Sequence, residues 1–268
     1  MTDPKIASIL SPDHFDQVAS IASYAGELTL RASRTPRKKH DSTIVTDADL
    51  ASERHILAEL AKLFPSIPII SEEAVAAGAT QQPAALFWLV DPLDGTTEFA
   101  AGSDEFTVNI ALIADGAPLA GWIGAPGFGR LYRGAVGYGA ERFDLPSGGR
   151  IASGSARRSI CARPRMNDDL VVLHSRSHLD PASEAYIAAL APCRRVASGS
   201  SLKFCEIAEG EADIYPRLAP VSEWDIAAGH AIVAAAGGHV TTPNGDPLTY
   251  GHIEQNFRVP GFIVTGAA

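Results

Sequence analysis

Acidic residues recur at the ends of apolar segments along this chain. Glu72 follows the run IPII, Asp91 follows LFWLV, and Asp94 comes three residues later. Asp225 opens one predicted helix, and Asp49 lies in the first turn of another. Carboxylates at the edges of buried elements can meet in one cleft, and Mg²⁺ prefers such oxygen ligands while leaving room for a phosphate. The pattern predicts a metal site that accepts a phosphorylated substrate.

The segment DPLDGT has the chemistry to hold both a metal and a phosphate. Pro92 stiffens the turn, the Leu93 carbonyl can point inward, and Gly95 lets the backbone approach a phosphate closely. Asp91 is placed to bridge two metals. Thr96 begins a predicted short helix, where backbone N–H groups favour an anion and the hydroxyl can orient a water.

Each acidic residue also has a purely structural interpretation. Asp94 lies in a common type of turn, and Asp49 could cap its helix together with Thr46. Asp225 at a helix start is favoured by the helix dipole, and Glu72 could be a surface carboxylate. The metal-site interpretation therefore depends on their joint occurrence and on the resemblance of the whole chain to known proteins.

Apolar periodicity and turn residues predict the elements that position these groups. Predicted helices cover 12–33, 46–64, 181–190, 200–208 and 224–236. Predicted strands cover 67–71, 86–90, 106–114, 119–125, 128–136, 170–174, 213–215 and 262–264, with a further strand at Val240. Strands are consecutive in the first half, whereas strands and helices alternate in the second. This order predicts an α/β protein in which an α+β half joins an α/β half.

A Gly/Ser/Arg-rich stretch, residues 143–159, divides the chain. It predicts an N-terminal α+β subdomain, 1–150, that carries the metal-binding motifs. The C-terminal α/β subdomain, 151–268, would carry the substrate-binding residues and the last metal ligand.

Composition restricts the class of partner. The formal net charge is −9 and the sequence pI about 5.3, so nucleic acids and anionic membranes are disfavoured. Three widely spaced cysteines without a CxxC pair indicate neither a disulfide framework nor a zinc site. No signal peptide and no membrane-spanning apolar run is seen, which predicts a cytoplasmic protein.

Four segments, in the expected order, resemble the inositol monophosphatase superfamily. They are VTDADLASE (45–53), IISEEA (69–74), WLVDPLDGTTEF (88–99) and EWDIAAGHAIVAAAGG (223–238). The stretches SRSH (175–178) and GSSLKFCEIAEGEADIYPR (199–217) look closer to its CysQ branch of 3'(2'),5'-bisphosphate nucleotidases. Thr97 departs from that branch, which usually has Lys there, and matches the inositol monophosphatases instead.

The resemblance implies a layered αβαβα sandwich of the sugar-phosphatase type and a metal-dependent hydrolysis. Asp49 and the Thr96 hydroxyl would orient the attacking water, while the Gly95 and Thr96 amides would hold the scissile phosphate. Implied ligands of two or three Mg²⁺ ions are Glu72, Asp91, the Leu93 carbonyl, Asp94 and Asp225. The implied substrate is adenosine 3',5'-bisphosphate, cleaved to AMP and phosphate without a covalent intermediate.

Substrate selection is expected to involve basic residues of the second half. Lys203 and Arg217 could meet a second phosphate, with His178 stacking on or bonding to a nucleotide. The full set of expected substrate-binding residues is Glu72, Leu93, Asp94, Gly95, Thr96, His178, Ser200, Lys203, Arg217 and Asp225. In the structural interpretation, Lys203 and Arg217 are solvated surface residues and His178 is a loop histidine.

Two other functions remain open. One is an inositol-1-monophosphatase or broad sugar phosphatase with the same metal site, and the more remote one is a catalytically idle nucleotide-binding regulator. The resemblance also leaves open a homodimer and a peripheral association with the inner face of the cell membrane.

Overall fold

A computed structural model describes residues 9–38, 44–146, 149–151, 155–164 and 169–268. The helices are α1 (Pro12–Arg31), α2 (Asp47–Leu63), α3 (Glu72–Ala76), α4 (Thr96–Ala100), α5 (Pro181–Ala189), α6 (Leu202–Ala208) and α7 (Glu223–Ala235). The strands are β1 (Arg37–Lys38), β2 (Ile44–Val45), β3 (Ile69–Ser71), β4 (Leu86–Asp94), β5 (Thr107–Ala114), β6 (Ala117–Ala125), β7 (Arg130–Ala135), β8 (Gly139–Asp144), β9 (Ala156–Ile160), β10 (Val171–Ser175), β11 (Arg194–Ser198), β12 (Ile214–Arg217), β13 (Val221–Ser222), β14 (His239–Thr241), β15 (Arg258–Val259) and β16 (Phe262–Thr265).

The first sheet has seven strands in the order β3-β4-β5-β6-β7-β8-β9. Strands β3 and β4 run parallel, and each later neighbouring pair is antiparallel. The predicted hairpin joins β5 to β6 through Asp115 and Gly116, whose φ values are 50° and 76°. Positive φ at both positions is what a two-residue type I′ turn requires.

The predicted subdomain boundary at residue 150 stays a prediction, and the first sheet continues beyond that residue. Strand β9 lies beyond that boundary, yet it pairs with β8 in continuous antiparallel register. Backbone hydrogen bonding therefore extends the first sheet to Ile160. The second sheet has five strands in the order β11-β10-β12-β16-β14, with β10 parallel to both of its neighbours.

Alternate side chains of the first sheet pack against different helices. On one side, Trp88 and Val90 of β4 share a core with α1 and α2. On the other side, Phe87 and Leu89 share a core with α6, α7 and the second sheet. Ile187 of α5 covers the outer side of the second sheet. The layers thus run helix, sheet, helix, sheet, helix, which confirms the predicted αβαβα sandwich.

Glycines in the first sheet allow α7 to lie directly upon it. A Cβ atom at Gly121 of β6 would lie 2.3 Å from the carbonyl oxygen of Ala228, and one at Gly134 of β7 would lie 2.8 Å from Ile232 Cα. Such distances are far below van der Waals contact, so a side chain here would push the helix away. The close contact fixes the position of α7 and hence of Asp225 in its first turn.

Several elements were not predicted from the sequence, among them β8 and β9 of the first sheet. Residues 72–76 form a short helix that was not predicted, and the acidic Glu72 and Glu73 in its first turn suit the helix dipole. Strand β11 was not predicted, because its exposed Arg194 and Arg195 interrupt any apolar alternation.

All three cysteines are free. Within the described residues, no helix combines the length and apolar character needed to cross a membrane.

Candidate active site

A cavity of about 460 Å³ opens where the end of β4 meets the start of α7. Its walls include nearly every residue predicted for the site, namely Glu72, Asp91, Leu93, Asp94, Gly95, Thr96, His178, Ser200, Lys203, Arg217 and Asp225. Asp49 is the exception, since it is completely buried behind Thr96. The structure therefore brings together residues from both halves of the chain.

The end of β4 is irregular, and this irregularity shapes the acidic wall. The pairing with β5 changes register between Asp91 and Asp94, and the Leu93 N–H donates to Asp91 Oδ1 at 3.0 Å. Gly95 follows with φ 89°, and a Cβ there would lie 3.1 Å from the Glu105 carbonyl oxygen. A glycine is therefore needed for both the backbone angle and the close approach.

The acidic wall concentrates negative charge away from solvent. Burial raises the pKa of Asp91 well above its ordinary value, and the Glu72, Asp94 and Asp225 carboxylates raise this pKa further. Burial likewise raises the pKa of Asp225, with Asp94 and Glu72 adding to the shift and Arg217 opposing it. Buried like charges of this kind are costly unless a cation compensates them.

The donor set fits a hard divalent cation. Carboxylates and the Leu93 carbonyl offer oxygen ligands, as Mg²⁺ prefers, with no thiolate or imidazole among them. Among the described residues, no three His, Cys, Asp or Glu side chains already form a metal cluster.

The Asp49 carboxylate both caps helix α2 and contacts Thr96 of the cavity wall. Its Oδ2 accepts hydrogen bonds from the Thr46 N–H at 2.8 Å and the Thr46 hydroxyl at 2.6 Å, completing a capping box at the start of α2. Its Oδ1 accepts from Thr96 Oγ1 at 3.1 Å, and the same hydroxyl lies 3.1 Å from Leu93 O. The helix cap thus orients the carboxylate toward Thr96.

The loop before α6 reaches across the cavity to Asp94. Ser200 Oγ and the Ser201 N–H donate to Asp94 Oδ2 at 2.7 and 2.6 Å. Both serine hydroxyls also lie within hydrogen-bond distance of Thr107 Oγ1, at 2.5 and 2.7 Å. These bonds occupy Oδ2 and connect the second half of the chain to the acidic wall.

Lys203 lines the cavity, but its ammonium group is bonded to the backbone. Nζ donates to Ser198 O at 3.1 Å and to Ser200 O at 2.5 Å, and it lies 5.0 Å from the centre of the Tyr215 ring. Burial lowers the pKa of Lys203 to about 8. The predicted solvated alternative is wrong, because the side chain is only 2% exposed. The ammonium anchors the loop that holds Asp94, which sequence spacing could not indicate.

Arg217 and His178 reach the cavity from different loops. Arg217 ends β12, and its buried Nε has no hydrogen-bond partner among the described residues. A buried N–H of this kind is costly unless a ligand supplies an acceptor. His178 is exposed in the loop between β10 and α5, and its backbone N–H donates to Ser175 Oγ at 3.1 Å.

Glu98 and Arg258 also line the cavity, and the sequence analysis did not identify them. Glu98 lies inside the DGTTEF motif, so its position beside Thr96 was an available signal. Arg258 has no such signal. It reaches the site because β15 pairs with β13, which places Arg258 opposite Ser222 at the start of α7. Its Nη2 donates to Pro220 O at 2.9 Å.

The layered fold and the acidic cavity together define the class, a phosphatase of the αβαβα type. A family model described as the inositol monophosphatase family matches residues 12–258. The chain belongs to the inositol monophosphatase family.

Two similar proteins of the family carry the same name. The 3'(2'),5'-bisphosphate nucleotidase CysQ of Escherichia coli strain K12 is 40% identical over 255 residues, covering 93% of this chain and 98% of that protein. The protein of the same name from Salmonella typhimurium strain LT2 is 41% identical over 255 residues, again covering 93% of this chain and 98% of that protein.

Solved structures agree with this relationship. CysQ from Bacteroides thetaiotaomicron matches with a TM-score of 0.76 and 34% identity, covering 96% of this chain and 98% of that one. An inositol monophosphatase from Anabaena sp. PCC 7120 matches with a TM-score of 0.73 and 26% identity, covering 95% and 91%.

Proposed function

We propose that this chain is a Mg²⁺-dependent 3'(2'),5'-bisphosphate nucleotidase that hydrolyses adenosine 3',5'-bisphosphate to AMP and phosphate. The observation that carries this proposal is one cavity lined both by buried carboxylates and by the guanidinium groups of Arg217 and Arg258. Metal-binding oxygens suit the phosphate that is cleaved, and the arginines suit a second phosphate that the metals do not reach. The CysQ nucleotidases similar to this chain support the same substrate class.

In the proposed site, five oxygen-bearing residues would hold Mg²⁺, namely Glu72, Asp91, Leu93 through its carbonyl, Asp94 and Asp225. When bound, Mg²⁺ neutralises phosphate charge and makes water a better nucleophile. We propose two or three Mg²⁺ ions per chain. A metal titration followed by calorimetry measures this number.

Thr96 and Asp49 are proposed to orient the attacking water. The Thr96 hydroxyl proton has Asp49 Oδ1 and Leu93 O as acceptors, so a lone pair on its oxygen is free to accept from a water in the cavity. A proton that the water releases toward Thr96 can pass to Asp49 along the existing hydrogen bond. The two bonds from Thr46 to Asp49 Oδ2 keep the carboxylate in this orientation.

The second phosphate of the substrate is proposed to contact the guanidinium group of Arg217, which lines the cavity. His178 and Ser200 would contact the remainder of the nucleotide. The Gly95 and Thr96 amides would hold the phosphate that is cleaved. Lys203 would act on the substrate mainly through the loop that it anchors, since its ammonium already donates to two carbonyls.

The proposal is tested by comparing kcat/KM for adenosine 3',5'-bisphosphate, inositol 1-phosphate and fructose 1,6-bisphosphate in saturating Mg²⁺. We expect the nucleotide to be preferred, with AMP and phosphate as products and no turnover after chelation. Arg217→Gln should raise KM for the nucleotide by roughly ten- to a hundredfold, the value of one charge-assisted hydrogen bond. Inositol 1-phosphate, which lacks a second phosphate, should be nearly unaffected.

A second candidate, an inositol-1-monophosphatase, is favoured by Thr97, which lines the cavity and matches the inositol monophosphatase pattern. Preference of the wild-type protein for inositol 1-phosphate would replace the nucleotidase proposal with this one. Preference for fructose 1,6-bisphosphate would indicate a broad sugar phosphatase, and no turnover of any substrate would indicate the idle regulator.

A further inference from the structure

A bidentate ion pair joins the two halves of the chain beside the cavity. Arg176 Nε and Nη2 donate to the two carboxylate oxygens of Glu105, each at 2.7 Å. Nη2 also donates to the Ala197 carbonyl at 2.7 Å. Glu105 precedes β5 of the first sheet, whereas Arg176 follows β10 of the second. Neither side chain lines the cavity, so the pair does not belong to the site described above.

The ion pair lies directly behind residues that do line the cavity. Arg176 is flanked by Ser175 and is two residues from His178, and its backbone N–H donates to Ser198 O at 3.2 Å. On the opposite side, the Glu105 carbonyl is the backbone atom against which Gly95 packs. The pair therefore spans from the turn of the acidic wall to the loop that carries His178.

Close packing holds Glu105 in place for this contact. A Cβ atom at Gly199 would lie 2.9 Å from both Cβ and Oε2 of Glu105, so only a glycine admits the carboxylate here. The bidentate geometry also fixes the orientation of the guanidinium plane, which a single ion contact would not do.

The two loops of the second half differ in how strongly they are held. The loop with Ser200 and Ser201 is bonded to Asp94 and Thr107, and Lys203 anchors its carbonyls. The His178 loop is hydrogen-bonded to the first half through Arg176 and Glu105. Breaking the ion pair should therefore release His178 while leaving the hydrogen bonds to Asp94 intact.

We propose that Glu105 and Arg176 form a positioning pair that holds the His178 loop over the cavity and so determines affinity for the part of the substrate remote from the cleaved ester. This inference rests on the proposed nucleotidase function for the identity of that remote part. A nucleotide extends beyond the metal site and uses the loop, whereas inositol 1-phosphate is small enough to be bound at the metal site alone.

The experiment compares Arg176→Gln, Glu105→Gln, the double variant and Arg176→Lys with the wild type, on adenosine 3',5'-bisphosphate and inositol 1-phosphate. Each single glutamine variant should raise KM for the nucleotide roughly tenfold and leave kcat within about twofold, since the acidic wall is untouched. The double variant should be no worse than either single one, because both remove the same contact. Arg176→Lys keeps the charge but loses the bidentate geometry, so its KM for the nucleotide should lie between those of the wild type and Arg176→Gln.

The matched control is Arg195→Gln. Arg195 makes a comparable two-pronged pair with Glu184, is exposed on the same sheet, and does not line the cavity. This variant should leave both KM values unchanged, and thermal unfolding should show similar small losses of stability for Arg176→Gln and Arg195→Gln.

Separate outcomes overturn the inference and the proposed function. If the wild type hydrolyses the nucleotide but Arg176→Gln behaves like Arg195→Gln, the positioning role is wrong and the nucleotidase function stands. Equal losses on both substrates, a fall in kcat alone, or additive effects in the double variant would also overturn it. If the wild type prefers inositol 1-phosphate, the proposed function fails and the inference fails with it.

Discussion

Asp91 and Asp225 show how a functional residue can oppose folding. Both carboxylates are buried next to other acidic side chains, and both have a raised pKa for that reason. Neighbouring donors relieve only part of this charge, for example through the Leu93 N–H bonded to Asp91. The free energy stored in the repulsion is available to bind a cation.

Asp91→Asn should therefore have opposite effects on stability and activity. Without divalent metal, relief of about 1 kcal/mol of repulsion would raise the melting temperature by about 2–4 °C. With Mg²⁺, kcat should fall by about a hundredfold or more, because a shared ligand is lost. Calorimetry in chelator and steady-state kinetics in Mg²⁺ measure the two effects. A folded variant with wild-type kcat would refute the placement of Asp91 in the metal site.

For single residues, the sequence identified the side chains of the site but not their hydrogen-bond partners. The DPLDGT motif predicted a turn that carries two aspartates and a glycine, whereas in the structure both aspartates belong to the irregular end of β4 and Gly95 follows it. The donors that hold Asp94 come from Ser200 and Ser201, more than a hundred residues away. Only the fold determines such contacts, and the same is true of the backbone partners of Lys203.

Among the elements, α7 lies between the two sheets and supplies Asp225. Beyond its first turn, its sequence EWDIAAGHAIVAA is mostly small and apolar. The sequence therefore predicted the helix to within one residue at each end, but it indicated no preferred face. The close contact with Gly121 determines how it lies. Edge strand β11 was not predicted at all, since a charged and exposed strand has no periodic apolar signal.

Gly121→Ala should destabilise the protein strongly, because the new methyl group would meet the Ala228 carbonyl. We expect a loss of about 1–3 kcal/mol, typical of overpacking in a core. Gly124→Ala is the matched control on the same strand, where the nearest atom would be 3.3 Å away and the loss should be smaller. Urea denaturation measures both variants, and equal losses would show that the α7 contact is not the cause.

For the whole molecule, acid stability should depend on a histidine within its middle layer. Burial lowers the pKa of His230 on α7 to about 4, and His230 Nδ1 lies 2.8 Å from the Tyr250 hydroxyl. Between pH 6.5 and 4 the unfolded chain binds a proton at this residue that the folded chain does not bind. The contribution of neutral His230 to stability is thus complete above pH 6.5 and is lost as the pH falls toward 4.

His230→Gln should reduce the slope with which the free energy of unfolding falls between pH 6.5 and 4. Within that window one proton changes the free energy of unfolding by up to about 1.4 kcal/mol per pH unit. Urea denaturation of both proteins at pH 7, 5.5 and 4.5 gives the difference in slope. Identical slopes would mean that His230 binds protons equally in the folded and unfolded states.

The position of α7 late in the chain also has a consequence for biosynthesis. It covers a sheet face whose strands β4 to β6 end at residue 125, while the helix itself begins at residue 223. At roughly 5–20 residues per second, a ribosome needs about 5–20 s to add the intervening segment. During that interval the nascent sheet presents Phe87, Leu89 and Ile113 without their helix, so a chaperone that binds apolar surfaces could bind there. The last carboxylate of the acidic wall arrives on the same helix, so the wall is incomplete in the nascent chain until residue 225 has been added.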